Sequence, residues 1–555
     1  MRLRQFRHIT ALAACYMFCM SAFAVPIRRQ PGLDLPEYHM HTDRDNPALW
    51  SSQPAYLPNR APLPGSYATS DIIRTGTVEY PLVLVEFQDK RFIIKDRDSL
   101  RAHYEHVFNE HDFSDTVSFT HKGYTYYGAH GSVSDYFRDQ SYGKYTPTFK
   151  IIGPITLSKG YAFYGSGLDE NVKTMVREIC DSIIARDPAD LSGYAPNGRL
   201  DQLSIIYAGR GENYTGSDPN TIWPHANQIY FSRNDSLIYN TGIQSAKYAC
   251  TSELYWNSDS IMDGIGTFCH EFSHTLGLPD FYDTDADDYD VDNTAMGYWS
   301  LMDYGCYEDG GFSPVGYTAF EKYSLGWLDL EEITYTGVHT LDDISLTPDP
   351  KSGIHTAYCL STGIDYRFII LECHYRKGWY RFHQSEGLMV TIVNYNKTRW
   401  YYNYPNSGNL KNYRILPADN NYGLYTSRGD LFPQTDSLGN VTDSITTTGN
   451  PELKVISSYP RFSIYDITRN SDRVTFRVGY DLSTDVNVSK QEVSVDVVDG
   501  ALSVSAPKGS KVTVYDMAGK PVQETVVNSP IQKIPLPGHG IWVVKCGNIT
   551  RKVRL

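Results

Sequence analysis

The strongest constraint on this chain is a run of five residues, His270-Glu271-Phe272-Ser273-His274, set within Asp259–Asp280. On a helix, residues four apart lie on one face, so His270 and His274 can grip one ion. Neutral imidazole is a good zinc ligand, and Glu271 beside the pair can take a proton from water held there. A catalytic zinc needs a third protein ligand and an open position. Asp280 offers that ligand, because Gly277 can end the helix in a left-handed turn and bring the chain back under the metal.

The flanking residues predict an amphipathic helix. Stepping ~100° per residue, Ile261, Ile265, Phe268, Phe272 and Leu276 form one apolar stripe. His270 and His274 fall nearly opposite it, on a face shared with Gly266, Thr267 and Gly277. A core histidine pair would sit within the stripe; this pair faces away from it, with room for an ion. Cys269 adjoins a ligand but points toward the apolar side, where it reads as a buried hydrophobe.

The stretch HEFSHTLGLPD (270–280) fits HExxHxxGxxD. With it the chain resembles the metzincin-like zinc proteases that use Asp as third ligand, and most closely the immune-inhibitor-A-like (M6) secreted metalloproteases. Other segments are similar in the same order: VEYPLVLVEFQD (78–89), GSVSDYFRDQSYGKYTPTF (131–149), LSIIYAGRGE (203–212), WPHAN (223–227), YWSLMDYG (298–305) and RGDLFP (428–433). The resemblance runs from about Ile72 to Tyr480. It implies an α/β (α+β) zinc protease domain followed by a β-rich region. It also implies that Met302 lies in a hydrophobic turn beneath the imidazoles, and that Tyr304 donates its phenol proton to the developing oxyanion. Tyr307 is an equally placed candidate for the second role.

Compartment follows from the N-terminus. Arg2, Arg4 and Arg7 precede the apolar run Ile9–Phe23, and Ala22-Phe23-Ala24 is a small-x-small cleavage site, so residues 1–24 read as a signal peptide. Leu12-Ala13-Ala14-Cys15 offers a rival lipid-attachment box. The expected location is extracellular or the outer cell surface, with no other segment long and apolar enough to span a bilayer. A formal charge of −14 argues against a nucleic-acid partner, which would need a basic face. Seven cysteines follow the leader, an odd and irregularly spaced set that gives no disulfide framework and leaves room for one or two bridges.

Residues 25–71 are rich in Pro and polar groups and read as a pro-segment, in which Asp43 and Asp45, beside His39 and His41, are candidates to plug the open metal position. The catalytic domain is expected over 72–330. Within it Pro81–Phe87 and Leu203–Tyr207 read as central strands, Asp169–Ile184 as a helix, and Pro314–Trp327 as a closing helix. After Asp280, alternating Asp283, Asp285 and Asp287 suit either a calcium loop or a solvated acidic rim. Residues 331–484 alternate as strands over Phe368–Glu372, Gly387–Val393 and Val474–Val478. Arg428-Gly429-Asp430 there reads as a structural turn rather than an adhesion site.

The tail, 485–555, is expected to be a small C-terminal β-sandwich, with a hairpin over 512–523 and two closing strands over 536–555. It resembles the sorting domain of Bacteroidetes type IX secretion; an Ig-like spacer is the alternative. The favoured reading is a secreted zinc endopeptidase acting on protein or peptide substrates. The rival is a surface-exposed, adhesin-like binding protein with a structural zinc, against which Glu271 counts, since a structural site needs no base.

Overall fold

The computed structural model describes residues 73–480 and 494–554, together with Phe23 and Ala24, apart from short interior stretches of which 285–294 and 447–461 are the longest. The expected leader and pro-segment, with Cys15, His39, His41, Asp43 and Asp45, otherwise lie outside the described residues, as do Asp285 and Asp287. The chain divides into two compact units, Met1–Asp481 and Leu482–Leu555.

The larger unit is a mixed α/β structure built on one twisted sheet. Its strands are β1 (Gly76–Glu86), β2 (Tyr145–Thr156), β3 (Arg199–Arg210), β4 (His225–Tyr230) and β5 (Ser245–Leu254). Across the sheet they run β4-β5-β3-β1-β2, all parallel except β4, which is antiparallel to β5. Phe23 and Ala24 pair with Ala226 and His225 on the outer edge of β4.

Side chains alternate across a strand, and β1 shows what each face meets. Tyr80, Leu82 and Leu84 join one apolar core, and Val83, Val85 and Phe87 another. The first core receives helices α1 (Arg97–Asn109), α2 (Val133–Gln140) and α4 (Gly266–Leu276), the last with Phe268 and Phe272 stacked 5.8 Å apart. The second receives α3 (Glu170–Ile184) through Val172, Met175, Val176, Ile179 and Ile183. A sheet covered on both faces explains why all ten residues of β5 are buried.

The histidine helix differs from its sequence reading in two ways. It starts at Gly266, so Ile261 and Ile265 precede it. Ser258 Oγ accepts the backbone N–H groups of Ser260 and Ile261, and Met262 bridges Leu254, which draws the approach into a turn instead. The helix is also buried all round rather than on one stripe. Gly264 and Gly266 allow this: a β-carbon would sit 2.2 Å from the Gly311 carbonyl oxygen and 1.9 Å from that of Cys306.

The expected closing helix over 314–327 is shorter. Only Ala319–Ser324 (α5) is helical, because Thr318 and Glu321 form a capping box that fixes its start. Gly316 lies against the Tyr380 ring, and Gly326 has φ 79° beyond its end.

Downstream of α5, residues 331–480 do not stand apart. A five-stranded sheet orders Tyr413–Ile415, Gly387–Asn394, Arg367–His374, Ala357–Ile364 and Glu331–Glu332. Phe368, Ile370, Met389 and Val393 on one of its faces belong to the same core as α4, while Ile369, Leu371, Leu388 and Val390 pack toward the sheet of Gly337–Asp342, Phe462–Asn470 and Arg473–Tyr480. Asp430 of the RGD tripeptide is buried and accepts from the Trp299 indole at 2.6 Å, which makes it a structural link.

The smaller unit has a three-stranded and a four-stranded sheet whose valines meet in one core, including Val495, Val504, Val514 and Val544. Lys511–Tyr515 and Pro521–Val526 form its hairpin about Gly519, at φ 78°. All seven cysteines among the described residues are free and buried, so the bridges left open by the sequence are not formed there.

Candidate metal centre

Gly277 ends α4 with φ 104°, and the N–H of Leu278 closes on the Ser273 carbonyl at 3.2 Å. This left-handed stop is open to glycine without steric cost, and it turns the chain so that Asp280 faces the helix it has just left. His270, His274 and Asp280 converge with ligand atoms within 4.8 Å of one another, each at most 1 % exposed.

The hydrogen bonds behind the imidazoles decide their chemistry. His270 Nδ1 lies 2.8 Å from the carbonyl of Leu301, and His274 Nδ1 lies 2.7 Å from that of Leu278. A carbonyl only accepts, so each Nδ1 carries the proton and each Nε2 keeps its lone pair. The two Nε2 atoms are 3.1 Å apart, and Asp280 Oδ1 lies 3.0 Å from one and 3.3 Å from the other. Three electron-rich atoms therefore meet with no proton between them.

A cation resolves that conflict. Metal–nitrogen bonds of ~2.0–2.1 Å in a tetrahedron put neighbouring ligand atoms ~3.3 Å apart, close to the separations here. The donor set, two neutral imidazoles and one carboxylate, suits zinc. Burial, opposed by Asp280, keeps the His274 imidazole on the neutral side of its usual range.

Glu271 stands beside both ligands on α4 and is fully buried. Met302 is also buried, and its carbonyl accepts the N–H of Phe281 at 2.8 Å, which ties the turn to the residue after Asp280. In that turn, Leu301 makes the hydrogen bond to an imidazole. Asp303 staples the turn by accepting the N–H groups of Met296, Gly297 and Tyr304 at 3.1, 2.8 and 2.9 Å, and burial pushes its carboxyl up to about 7.

Of the tyrosines, Tyr304 packs its ring 6.4 Å from that of Tyr307, whose hydroxyl accepts from Asn213 at 3.2 Å. Sequence reasoning missed Tyr282. It hydrogen-bonds Asp280, and burial, with Asp280 and Glu271 nearby, holds its phenol well above the usual range. It also missed Asn403, whose amide meets both the backbone and the carboxylate of Asp280. Tyr282 lies only two residues from Asp280, whereas nothing local marks Asn403.

Of the three alternating acids only Asp283 lies among the described residues, where it is engaged by Lys411 Nζ at 2.9 Å and by the Gly408 N–H at 3.1 Å. A second acidic grouping, His111, Asp112 and Asp135, is crossed by Arg138, 2.7 Å from Asp135.

Residues 74–331 match the family model described as immune inhibitor A peptidase M6, catalytic domain, and residues 483–554 match one described as Domain of unknown function (DUF6383). Over 303 residues the chain is 26 % identical to pre-pro-metalloprotease PrtV of Vibrio cholerae serotype O1, covering 48 % of this chain and 32 % of that protein. Over 262 residues it is 26 % identical to immune inhibitor A of Bacillus thuringiensis subsp. alesti, covering 40 % of this chain and 37 % of the relative. The chain thus spans about a third of the length of the curated relatives it matches.

Proposed function

We propose that this chain, whose residues 74–331 carry an M6 peptidase catalytic domain, is a secreted zinc endopeptidase that cleaves protein substrates. The observation that carries the reading is the meeting of two lone-pair Nε2 atoms and a carboxylate oxygen at 3.0–3.3 Å, with a buried Glu one residue from the first histidine.

His270, His274 and Asp280 would hold the metal. When bound there, zinc polarises the scissile carbonyl and acidifies water. Glu271 takes the proton from the attacking water and passes it to the leaving amine. Tyr304 or Tyr307 donates a phenol proton toward the oxyanion, and Met302 supports the turn beneath the histidines. General acid–base work of this kind contributes about 10²–10⁴ in rate.

Residues 1–24 as a signal peptide and 25–71 as an inhibitory pro-segment belong to this reading and are supported by the sequence pattern alone. So is sorting by the C-terminal unit; its independent apolar core supports a separable module and leaves the choice between sorting domain and spacer open.

The deciding experiment compares the protein with Glu271→Gln on unfolded casein, with zinc content measured for both. Equal zinc and activity only in the parent is the expected result. Equal zinc and full activity in the variant would remove Glu271 from the mechanism. Inactivity of both, persisting after residues 25–71 are cut away, would favour the adhesin-like reading with a structural zinc.

A further inference from the structure

The third ligand is gripped by a residue from far along the chain. Asn403 follows the short helix Lys397–Tyr401 with a left-handed backbone, φ 60°. The N–H of Tyr404 bonds the Arg399 carbonyl at 2.9 Å and the N–H of Asn403 bonds that of Trp400 at 3.2 Å, so Asn403 fills the helix-ending position most often given to glycine. Asparagine tolerates that conformation and, unlike glycine, brings an amide to it.

That amide spans Asp280. Asn403 Oδ1 accepts the Asp280 backbone N–H at 2.7 Å, and Asn403 Nδ2 donates to Asp280 Oδ2 at 2.6 Å. The two bonds fix the amide's sense, because a backbone N–H can meet only the oxygen end. Its base is anchored as well. The Thr284 hydroxyl donates to the Asn403 carbonyl at 3.2 Å, and Trp400, three residues before it, is buried with its ring 6.3 Å from that of Phe281.

We infer that Asn403 is a positioning residue for the metal centre, holding Asp280 Oδ2 so that Oδ1 alone is presented to His270 and His274. A carboxylate with both oxygens free can swing to offer the two together and take up the position a substrate needs. The charge-assisted bond from Asn403 opposes that swing. The inference rests on the metal-site reading above. It makes the β-rich region, not only the M6-like segment, part of the site. Tyr282 also bonds Asp280, so loss of Asn403 weakens metal binding without abolishing it.

The test uses the full chain and two variants. Asn403→Gly keeps the left-handed backbone and deletes the amide; Asn403→Ser leaves a hydroxyl too short to span Asp280. Zinc affinity is measured by competition with a chromophoric chelator, and the visible spectrum is recorded after loading with Co(II). We expect zinc affinity to fall about 10–100-fold in both variants, with a weaker cobalt band per metal bound. If the parent itself binds no zinc, the metal-site reading fails and this inference with it. If the parent binds and the variants match it in affinity and spectrum, only the role of Asn403 is overturned. Should Asn403→Gly not fold, Asn403→Ser decides by the same criteria.

Discussion

His270 donates its Nδ1 proton to the backbone carbonyl of Leu301, 2.8 Å away and 31 positions further along the chain. This one bond sets which nitrogen of His270 faces Asp280, and it makes the turn at Ser300–Asp303 part of the candidate metal centre. The turn is itself held from below. Ser300 Oγ donates to Glu321 at 2.5 Å and accepts the N–H of Met302 at 3.0 Å.

Ser300→Ala should therefore loosen the site without touching it. The change leaves a buried carboxylate oxygen and a buried N–H without that partner, at a cost of about 1–3 kcal/mol. Denaturant unfolding should show that loss, and chelator competition a weaker hold on zinc. Unchanged values in both would mean that Asp303 alone keeps the turn in place.

Gly266 lets the histidine helix pack directly against the backbone of the segment after the turn. A β-carbon there would meet the Cys306 carbonyl oxygen at 1.9 Å. Gly266→Ala would gain helix propensity on an exposed helix, but here overpacking wins by about 1–3 kcal/mol. A lowered midpoint of thermal unfolding is the expected outcome; a raised one would show that the 304–311 segment yields freely.

Asp430 gives a pH test. Burial raises its carboxyl from 3.8 to about 7, with Asp419 adding and the Trp299 indole bond opposing. The folded protein thus binds this proton more tightly than the unfolded chain. Its stabilising contribution is whole below about pH 4 and is lost as pH rises through 7. Asp430→Asn keeps an acceptor for Trp299 and removes the titration. Between pH 5 and 8 the variant should lose less stability than the parent, by at most about 3 kcal/mol. Equal losses in denaturant titrations at the two pH values would show that Asp430 does not titrate in this window.

Truncation tests the domain boundaries. The M6 match ends at 331, yet one apolar core joins Phe268 and Phe272 to Phe368, Met389 and Leu431. A chain stopped at 331 should be insoluble or digested quickly by protease, whereas one stopped at 481 should melt cooperatively. A well-folded 73–331 fragment would show that the shared core is dispensable.

What the sequence determined is local. The four-residue spacing of His270 and His274, the glycine able to turn left after the helix, and the alternation in β1 are set by backbone geometry within a few residues. Those features placed the two histidines on a helix and the strand in a sheet. What tertiary structure decided depends on groups far apart in the chain. The helix begins at Gly266 because the segment before it is drawn into a turn and a bridge to β5. Its histidine face is buried where the carbonyls of Leu301 and Leu278 and the carboxylate of Asp280 meet it. The His270 tautomer is set by Leu301, and the Asp280 carboxylate is held by Asn403, 123 residues away. A hydrogen bond has no sequence period, so partners that meet only after two sheets have packed leave no pattern in the chain that joins them.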